Sequence, residues 1–179
     1  MRVITGSAKG KRLETLSGVA VRPTTDRVKE AIFSAIQFEI DGKNFLDLFA
    51  GSGQMAIESL SRGALSASLV DSSRESVNVI KKNLELCKFY DKAEIFNTDY
   101  FTFLKKNKTF FDIAFLDPPY KKGILQKALP RVAGIMNKDG IIICEHPNDE
   151  ILPEKIGENF NLCKKMKYGK IIIEMFRKI

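Results

Sequence analysis

The chain has 179 residues, 44% of them hydrophobic, which is enough for one well-buried core and short for two full domains. Lysine and arginine outnumber aspartate and glutamate by 29 to 22, and the resulting formal charge of +7 favours a polyanionic partner. The opening residues carry Arg2, Lys9, Lys11 and Arg12 with no signal-peptide core. No run approaches the roughly 18 apolar residues of a membrane span, so a cytoplasmic protein is expected.

Residues 3–16 read as a short extended piece turning at Gly6 and Gly10, and Thr24-Thr25-Asp26 starts a helix over 26–38. From residue 44 onward, apolar runs at 44–49, 66–71, 92–97, 111–117 and 140–145 predict strands. Helices are expected between them at 54–62, 74–86, 100–106 and 123–136, the last kinked at Pro130. After Pro153, the runs 159–166 and 171–176 flank Lys167-Tyr168-Gly169-Lys170 as a β-hairpin. The alternation indicates an α/β domain with a parallel sheet covered on both faces. The expected organisation is an extension and helix at 1–43 packed on a single domain at 44–179. Cys87, Cys144 and Cys163 lie far apart and read as reduced packing residues, and with His146 the sole histidine no metal site is expected.

Phe45-Leu46-Asp47-Leu48-Phe49 runs as a buried strand into Ala50-Gly51-Ser52-Gly53, and a helix follows. Without side chains at Gly51 and Gly53 the backbone can turn tightly and a ligand can lie against it, beside a helix N-terminus. Asp71, 18 residues beyond Gly53, ends the next strand where it can accept from two ribose hydroxyls, with Ser72 beside it. Gly51, Gly53 and Ala56 also satisfy G-x-G-x-x-A, so a dinucleotide dehydrogenase must be weighed on this loop alone. Asp47 suits a cationic methionine amine, and Asn97-Thr98-Asp99, followed by Tyr100, suits an adenine amino group. The methionine amine is what separates S-adenosylmethionine from a dinucleotide, which carries the same adenine.

Asp117-Pro118-Pro119-Tyr120 ends the fourth strand, at the carboxyl edge where open α/β sheets bind ligands. An exocyclic base amine is a poor nucleophile because its lone pair is delocalised into the ring. Acceptors that draw the nitrogen toward tetrahedral geometry restore it. Asp117 supplies a carboxylate and Pro118 a backbone carbonyl, the fixed φ of Pro118 and Pro119 keeps the turn rigid, and Tyr120 can stack on the base. Amino-group methylation is therefore the expected reaction. Among the basic clusters, Lys9, Lys11 and Arg12, then Arg22, then Lys121 and Lys122, are the candidates for RNA phosphate.

These residues resemble the RsmD family of bacterial small-subunit rRNA methyltransferases over nearly the whole chain. The resemblance rests on Arg2-Val3-Ile4-Thr5-Gly6, Lys9-Gly10-Lys11-Arg12-Leu13, Arg22-Pro23-Thr24-Thr25-Asp26-Arg27-Val28-Lys29-Glu30, the glycine loop with Glu58 and Ser61-Arg62-Gly63-Ala64, the Asp-Pro-Pro-Tyr segment and Tyr168-Gly169. The Arg-Pro-Thr-Thr-Asp-Arg segment discriminates best. The resemblance implies a class I, Rossmann-like mixed sheet of seven strands with a C-terminal antiparallel hairpin. It implies S-adenosylmethionine as donor and a guanine N2 of 16S rRNA as acceptor, in the small ribosomal subunit or an assembly intermediate; a monomer is expected. By position it assigns Arg22 to Arg27 to the border of cofactor and target base, Gly51 and Gly53 to the methionine side, Asp71 to the ribose and Asp99 to the adenine; the cofactor-binding residues expected are Thr24, Arg27, Asp47, Phe49, Ala50, Gly51, Ser52, Gly53, Asp71, Ser72, Asp99 and Tyr100. The chain departs from the family in having Asp rather than a larger acid at position 71, and in the run Cys144-Glu145-His146-Pro147. His146 reads as a structural strand-end residue, since a methylated amine can lose its proton to water. The readings to separate from this one are a DNA adenine N6-methyltransferase, a protein glutamine methyltransferase, and a non-catalytic basic RNA-binding assembly factor.

Overall fold

The computed structural model describes residues 1–16, 25–120 and 123–178. Strands β1 (Asn44–Asp47), β2 (Ser66–Asp71), β3 (Ala93–Asn97), β4 (Phe111–Leu116) and β5 (Met136–Pro147) pair in parallel in the order β3-β2-β1-β4-β5. Beyond β5 the sheet turns antiparallel through β8 (Ile171–Lys178), β7 (Phe160–Tyr168) and β6 (Lys155–Ile156). The α/β sheet with its C-terminal antiparallel hairpin is as expected. Among the described residues, the two-residue β6 makes eight strands rather than seven.

Period-two alternation assigns each strand residue to one face. Phe45, Ile113, Phe115, Ile141, Ile143, Ile171 and Ile173 bury against α1 (Asp26–Ala35), α2 (Gln54–Ser61) and α3 (Arg74–Cys87). Leu46, Ala114, Leu116, Ile142, Cys144 and Phe176 bury on the other face, under α4 (Tyr100–Lys106) and α5 (Ile124–Ala133). Strand order reverses between β1 and β4, so a crevice opens at their carboxyl ends.

Local chemistry sets the helix ends. The Thr25, Ser73 and Asp99 side chains accept from Val28, Ser76 and Thr102 N–H groups to cap α1, α3 and α4. Helix α1 stops at Ala35, short of the expected 38, because a turn buries both Ile36 and Ile40 while Phe38 points outward, 92% exposed. Helix α5 is continuous through Pro130 and ends three residues later, and β5 begins at Met136, paired with Phe111, rather than at residue 140. Cys87 and Cys144 are buried free thiols, as expected, whereas Cys163 is exposed because it lies on the outer strand β7. No helix among the described residues is long and apolar enough to cross a membrane.

Candidate active site

The glycine loop joins β1 to α2. Leu48 N–H donates to Phe115 O and Ala50 N–H to Val70 O, so the strand feeding the loop is held from both sides. Gly51 and Gly53 have φ of 55° and 77°, a left-handed conformation that excludes ordinary side chains. A Cβ at Gly53 would also come within 3.0 Å of Leu69, whereas at Gly51 nothing lies within 4 Å. Gly51 therefore presents bare backbone to open space. Asp71 Oδ2 accepts from Gly51 N–H at 2.8 Å and Oδ1 from Ser73 N–H at 2.8 Å, which ties the end of β2 to the loop. Each oxygen keeps a lone pair for a diol. Asn97 Nδ2 donates to the carbonyls of Asp71 and Ser72, fixing this rim to β3. Exposed Asp99 spends one oxygen capping α4, and this hydrogen bond to Thr102 holds its carboxyl below the usual range. The Phe49 and Tyr100 rings meet at 5.5 Å and wall the same side.

Asp47 ends β1 beneath this loop, 1% exposed, with Ala56 N–H donating to its Oδ2 at 3.3 Å. Burial, aided by the charge of Asp71, pushes its carboxyl up to about 7. Asp117 follows β4 next door and is partly buried. Desolvation first, then the charges of Glu145 and Asp47, raise it well above the ordinary value. Among the described residues neither Asp47 nor Asp117 makes a salt bridge. A carboxylate cluster of this kind is suited to a ligand that brings its own positive charge. Pro118 is buried, Pro119 exposed, and Tyr120 is 36% exposed with its hydroxyl donating to Glu145 Oε1 at 3.4 Å. Glu145, itself 2% exposed, was not among the sequence-derived site residues. Its signal was available only as an acid ending the fifth strand; that β5 lies directly beside β4 is a fact of topology.

The N-terminal residues pack onto the loop's back. Arg2 and Arg12 form an isolated antiparallel bridge, with turns at Gly6 and Gly10, both at positive φ. Ile4 and Thr5 N–H groups donate to the two oxygens of buried Glu58 at 2.8 and 3.0 Å. Arg62 reaches Glu58 at 2.8 Å and fully buried Lys29 lies 3.6 Å away. Burial lowers the Lys29 ammonium, against the opposing pull of Glu58 and Asp26. Gly6 lies so close to α2 that a Cβ would sit 1.7 Å from Ser61 O. Asn83 on α3 completes the join, exchanging hydrogen bonds with Glu14 and donating to Ser52 O at 2.9 Å. Sequence reasoning missed these ties, because, apart from the Arg2–Arg12 bridge and the Arg62–Glu58 pair, each links positions more than 25 residues apart.

Of the basic candidates, Lys9 and Arg12 are exposed on this strap, while the Lys11 ammonium donates to Leu86 O at the end of α3. Arg27 is exposed in the first turn of α1. Thr24, Arg22, Lys121 and Lys122 lie outside the described residues. His146 points to the opposite face from Asp117. It is 1% exposed, 2.9 Å from Pro147 O through Nδ1 and 3.7 Å from Glu174, which pairs with Lys165 at 2.7 Å. It lies inside β5, among strand residues. No group of metal-ligating side chains occurs among the described residues.

Comparison with known proteins fits this layout. The model of a family described as Conserved hypothetical protein 95 matches residues 1–177. The Haemophilus influenzae protein named Ribosomal RNA small subunit methyltransferase D is 32% identical over 182 residues, spanning 99% of this chain and 93% of its own. A solved Escherichia coli protein, yhhF, superposes with a TM-score of 0.90 at 30% identity, over 99% of this chain and 97% of that one. The solved structure of SMU.776 complexed with SAH aligns with a TM-score of 0.68 over 81% of this chain and 49% of its own; at 14% identity the likeness is one of fold.

Proposed function

Because this chain belongs to the family described as Conserved hypothetical protein 95, the RsmD group that its motifs resemble, we propose that it transfers a methyl group from S-adenosylmethionine to the exocyclic N2 amine of a guanine in 16S rRNA. The substrate in this reading is the small ribosomal subunit or an intermediate of its assembly, met by a cytoplasmic monomer in which residues 1–43 serve as an extension of the domain at 44–179. The observation that carries it is the meeting of Asp117-Pro118-Pro119-Tyr120 with the open glycine loop where strand order reverses.

The residues fit the cofactor chemically. Asp47 faces its ammonium, Gly51 and Gly53 with Phe49, Ala50 and Ser52 cradle the methionine side, Asp71 and Ser72 take the ribose, and Asp99 with Tyr100 takes the adenine. The buried carboxyl of Asp47, without a salt-bridge partner among the described residues, supports a cationic occupant. When bound, the cofactor supplies an activated methyl on a sulfonium. Asp117 and the Pro118 carbonyl accept from the two amine hydrogens and bring the nitrogen lone pair out of conjugation. Tyr120 stacks on the base. After transfer the Asp117 carboxylate balances the positive charge on nitrogen until one of its protons leaves to water. Thr24 and Arg27 border the cofactor, and Lys9, Lys11, Arg12, Arg22, Lys121 and Lys122 hold phosphate.

Incubation with methyl-labelled S-adenosylmethionine and 16S rRNA, small-subunit particles or DNA, followed by digestion to nucleosides, tests this reading. Label in N2-methylguanosine from the rRNA-containing samples is expected. Label in N6-methyladenine from DNA, or no label anywhere, would overturn it.

A further inference from the structure

Helices α4 and α5 follow β3 and β4, so both start at the carboxyl edge that holds the site and run side by side down the sheet face opposite the N-terminal strap. Neither helix contains a carboxylate, although the helix dipole favours one in each first turn; the nearest on α4 is its cap, Asp99. Their exposed faces instead carry Lys105, Lys106, Lys127 and Arg131, with Lys108 just beyond α4. Among the described residues none of these five makes a salt bridge, whereas Arg62, Lys165 and Arg177 each sit on a carboxylate. Placement in a last turn suits the dipole for Lys105, Lys106 and Arg131, but Lys127 and Lys108 gain nothing from it. Between the helices the Arg131 guanidinium lies over the Phe101 ring, 4.6 Å from its centroid, and Phe101 is still 46% exposed. A spacing of four puts Lys105 one turn below Phe101 and Lys127 one turn above Arg131, each on the same helix face as its mate. A ring stacked with its cation is thus flanked along the helices by an ammonium on either side.

We infer that the α4–α5 face is a second RNA-binding surface, which holds a nucleotide flanking the target with its base against Phe101 and its phosphates on Arg131, Lys105 and Lys127. A half-exposed phenyl ring adds little to the core but offers an apolar plane on which any base can stack. The guanidinium lying on that ring presents its N–H groups along its own edge, where they can clasp a phosphate at two points as an ammonium cannot. An acidic protein would satisfy the cations and leave the ring without a flat partner. Lys9 and Arg12 stand on the strap at the other face of the sheet, so RNA held on both sides crosses the carboxyl edge and carries the target base over Asp117. The inference rests on the RNA reading above and deepens it.

The test is equilibrium binding as a function of salt, on protein-free 16S rRNA and on polyglutamate, a polyanion without bases. Lys105→Gln/Lys127→Gln keeps the ring and its guanidinium. It is expected to lower the slope of log K against log salt on rRNA by about one, since each phosphate neutralised on a single strand contributes about 0.7. Phe101→Leu keeps an apolar side chain and should weaken rRNA binding about 10-fold at unchanged slope, with no effect on polyglutamate. Phe101→Tyr keeps a stacking ring and should bind rRNA as wild type does. A wild-type slope in the lysine variant, or full rRNA affinity in Phe101→Leu, would overturn the inference. Equal losses by Phe101→Leu on rRNA and on polyglutamate would also overturn it, by assigning the face to an acidic protein. Should Phe101→Leu not fold, the lysine pair decides on its slope alone. Wild-type behaviour separates the two levels. Wild-type N2-methylguanosine formation with unaltered binding by the variants sinks this surface alone, while a wild-type protein that neither binds nor methylates 16S rRNA sinks the underlying reading and this inference with it.

Discussion

Asp117 draws its chemistry from where β4 stops. One residue earlier, Leu116 is fully buried on the opposite face; one later, Pro118 and Pro119 forbid the strand to continue. Asp117→Ala should lower the methyl-transfer rate by about 100-fold or more, with cofactor affinity changed less than about threefold, because the acceptor acts on the amine rather than on the donor. Single-turnover rates and calorimetric binding check this, and retained turnover would remove Asp117 from the mechanism. Asp47 makes a pH prediction. Its folded value of about 7 against an ordinary 3.8 means that the ligand-free folded protein holds a proton the unfolded chain gives up. Stability contributed by this group therefore falls as pH rises from about 4 to about 7 and is flat above. Cofactor affinity should move the opposite way, tightening up to about pH 7 as Asp47 ionises for the ammonium. Asp47→Asn should weaken binding and flatten both profiles; a pH dependence equal to that of wild type would contradict the assignment. The residues of this site were readable where chemistry is local in sequence, as in the glycine loop and Asp117 to Tyr120. Glu145 was not, because its place beside Asp117 depends on β5 lying next to β4.

At the scale of elements, Glu58 is the joint between the N-terminal strap, α1 and α2. It is fully buried, and it accepts from Ile4, Thr5 and Arg62 with Lys29 alongside. Removing one partner from a buried charged network leaves the others uncompensated, at a cost of about 3–5 kcal/mol. Glu58→Ala should therefore lower the melting temperature by about 10 °C and release the strap to proteolysis. A melting temperature within a degree or two of wild type would show that the joint contributes little. The strand and helix series was legible because apolar runs of strand length alternate with capped helical stretches. The strap's attachment was not, since Gly6 reads in sequence as a turn and only the fold reveals that it touches Ser61 O. The helix stop at Ala35 and the early start of β5 at Met136 likewise follow from tertiary burial of Ile36 and Ile40 and from pairing with Phe111.

Across the whole molecule, the strap carries exposed Lys9 and Arg12 on one side and, on the other, touches the glycine loop through Asn83 and Ser52. A basic surface is thereby attached to the wall of the proposed site, where the net charge of +7 favours a polyanionic partner. Reversing Lys9 and Arg12 to Glu should weaken RNA binding and reduce the slope of log K against log salt by about one for each phosphate that is no longer neutralised. An unchanged slope would move the RNA to another face. Small-subunit particles should be methylated faster than naked rRNA under the same conditions, and equal rates would discard the particle as substrate. The most direct test is made on RNA from cells: nucleoside analysis of 16S rRNA from a strain lacking this gene, complemented with wild-type or Asp117→Ala protein. The account predicts that N2-methylguanosine falls by one residue per 16S rRNA in the deletion, returns with wild type and stays absent with Asp117→Ala; an unchanged N2-methylguanosine content in the deletion strain would contradict it.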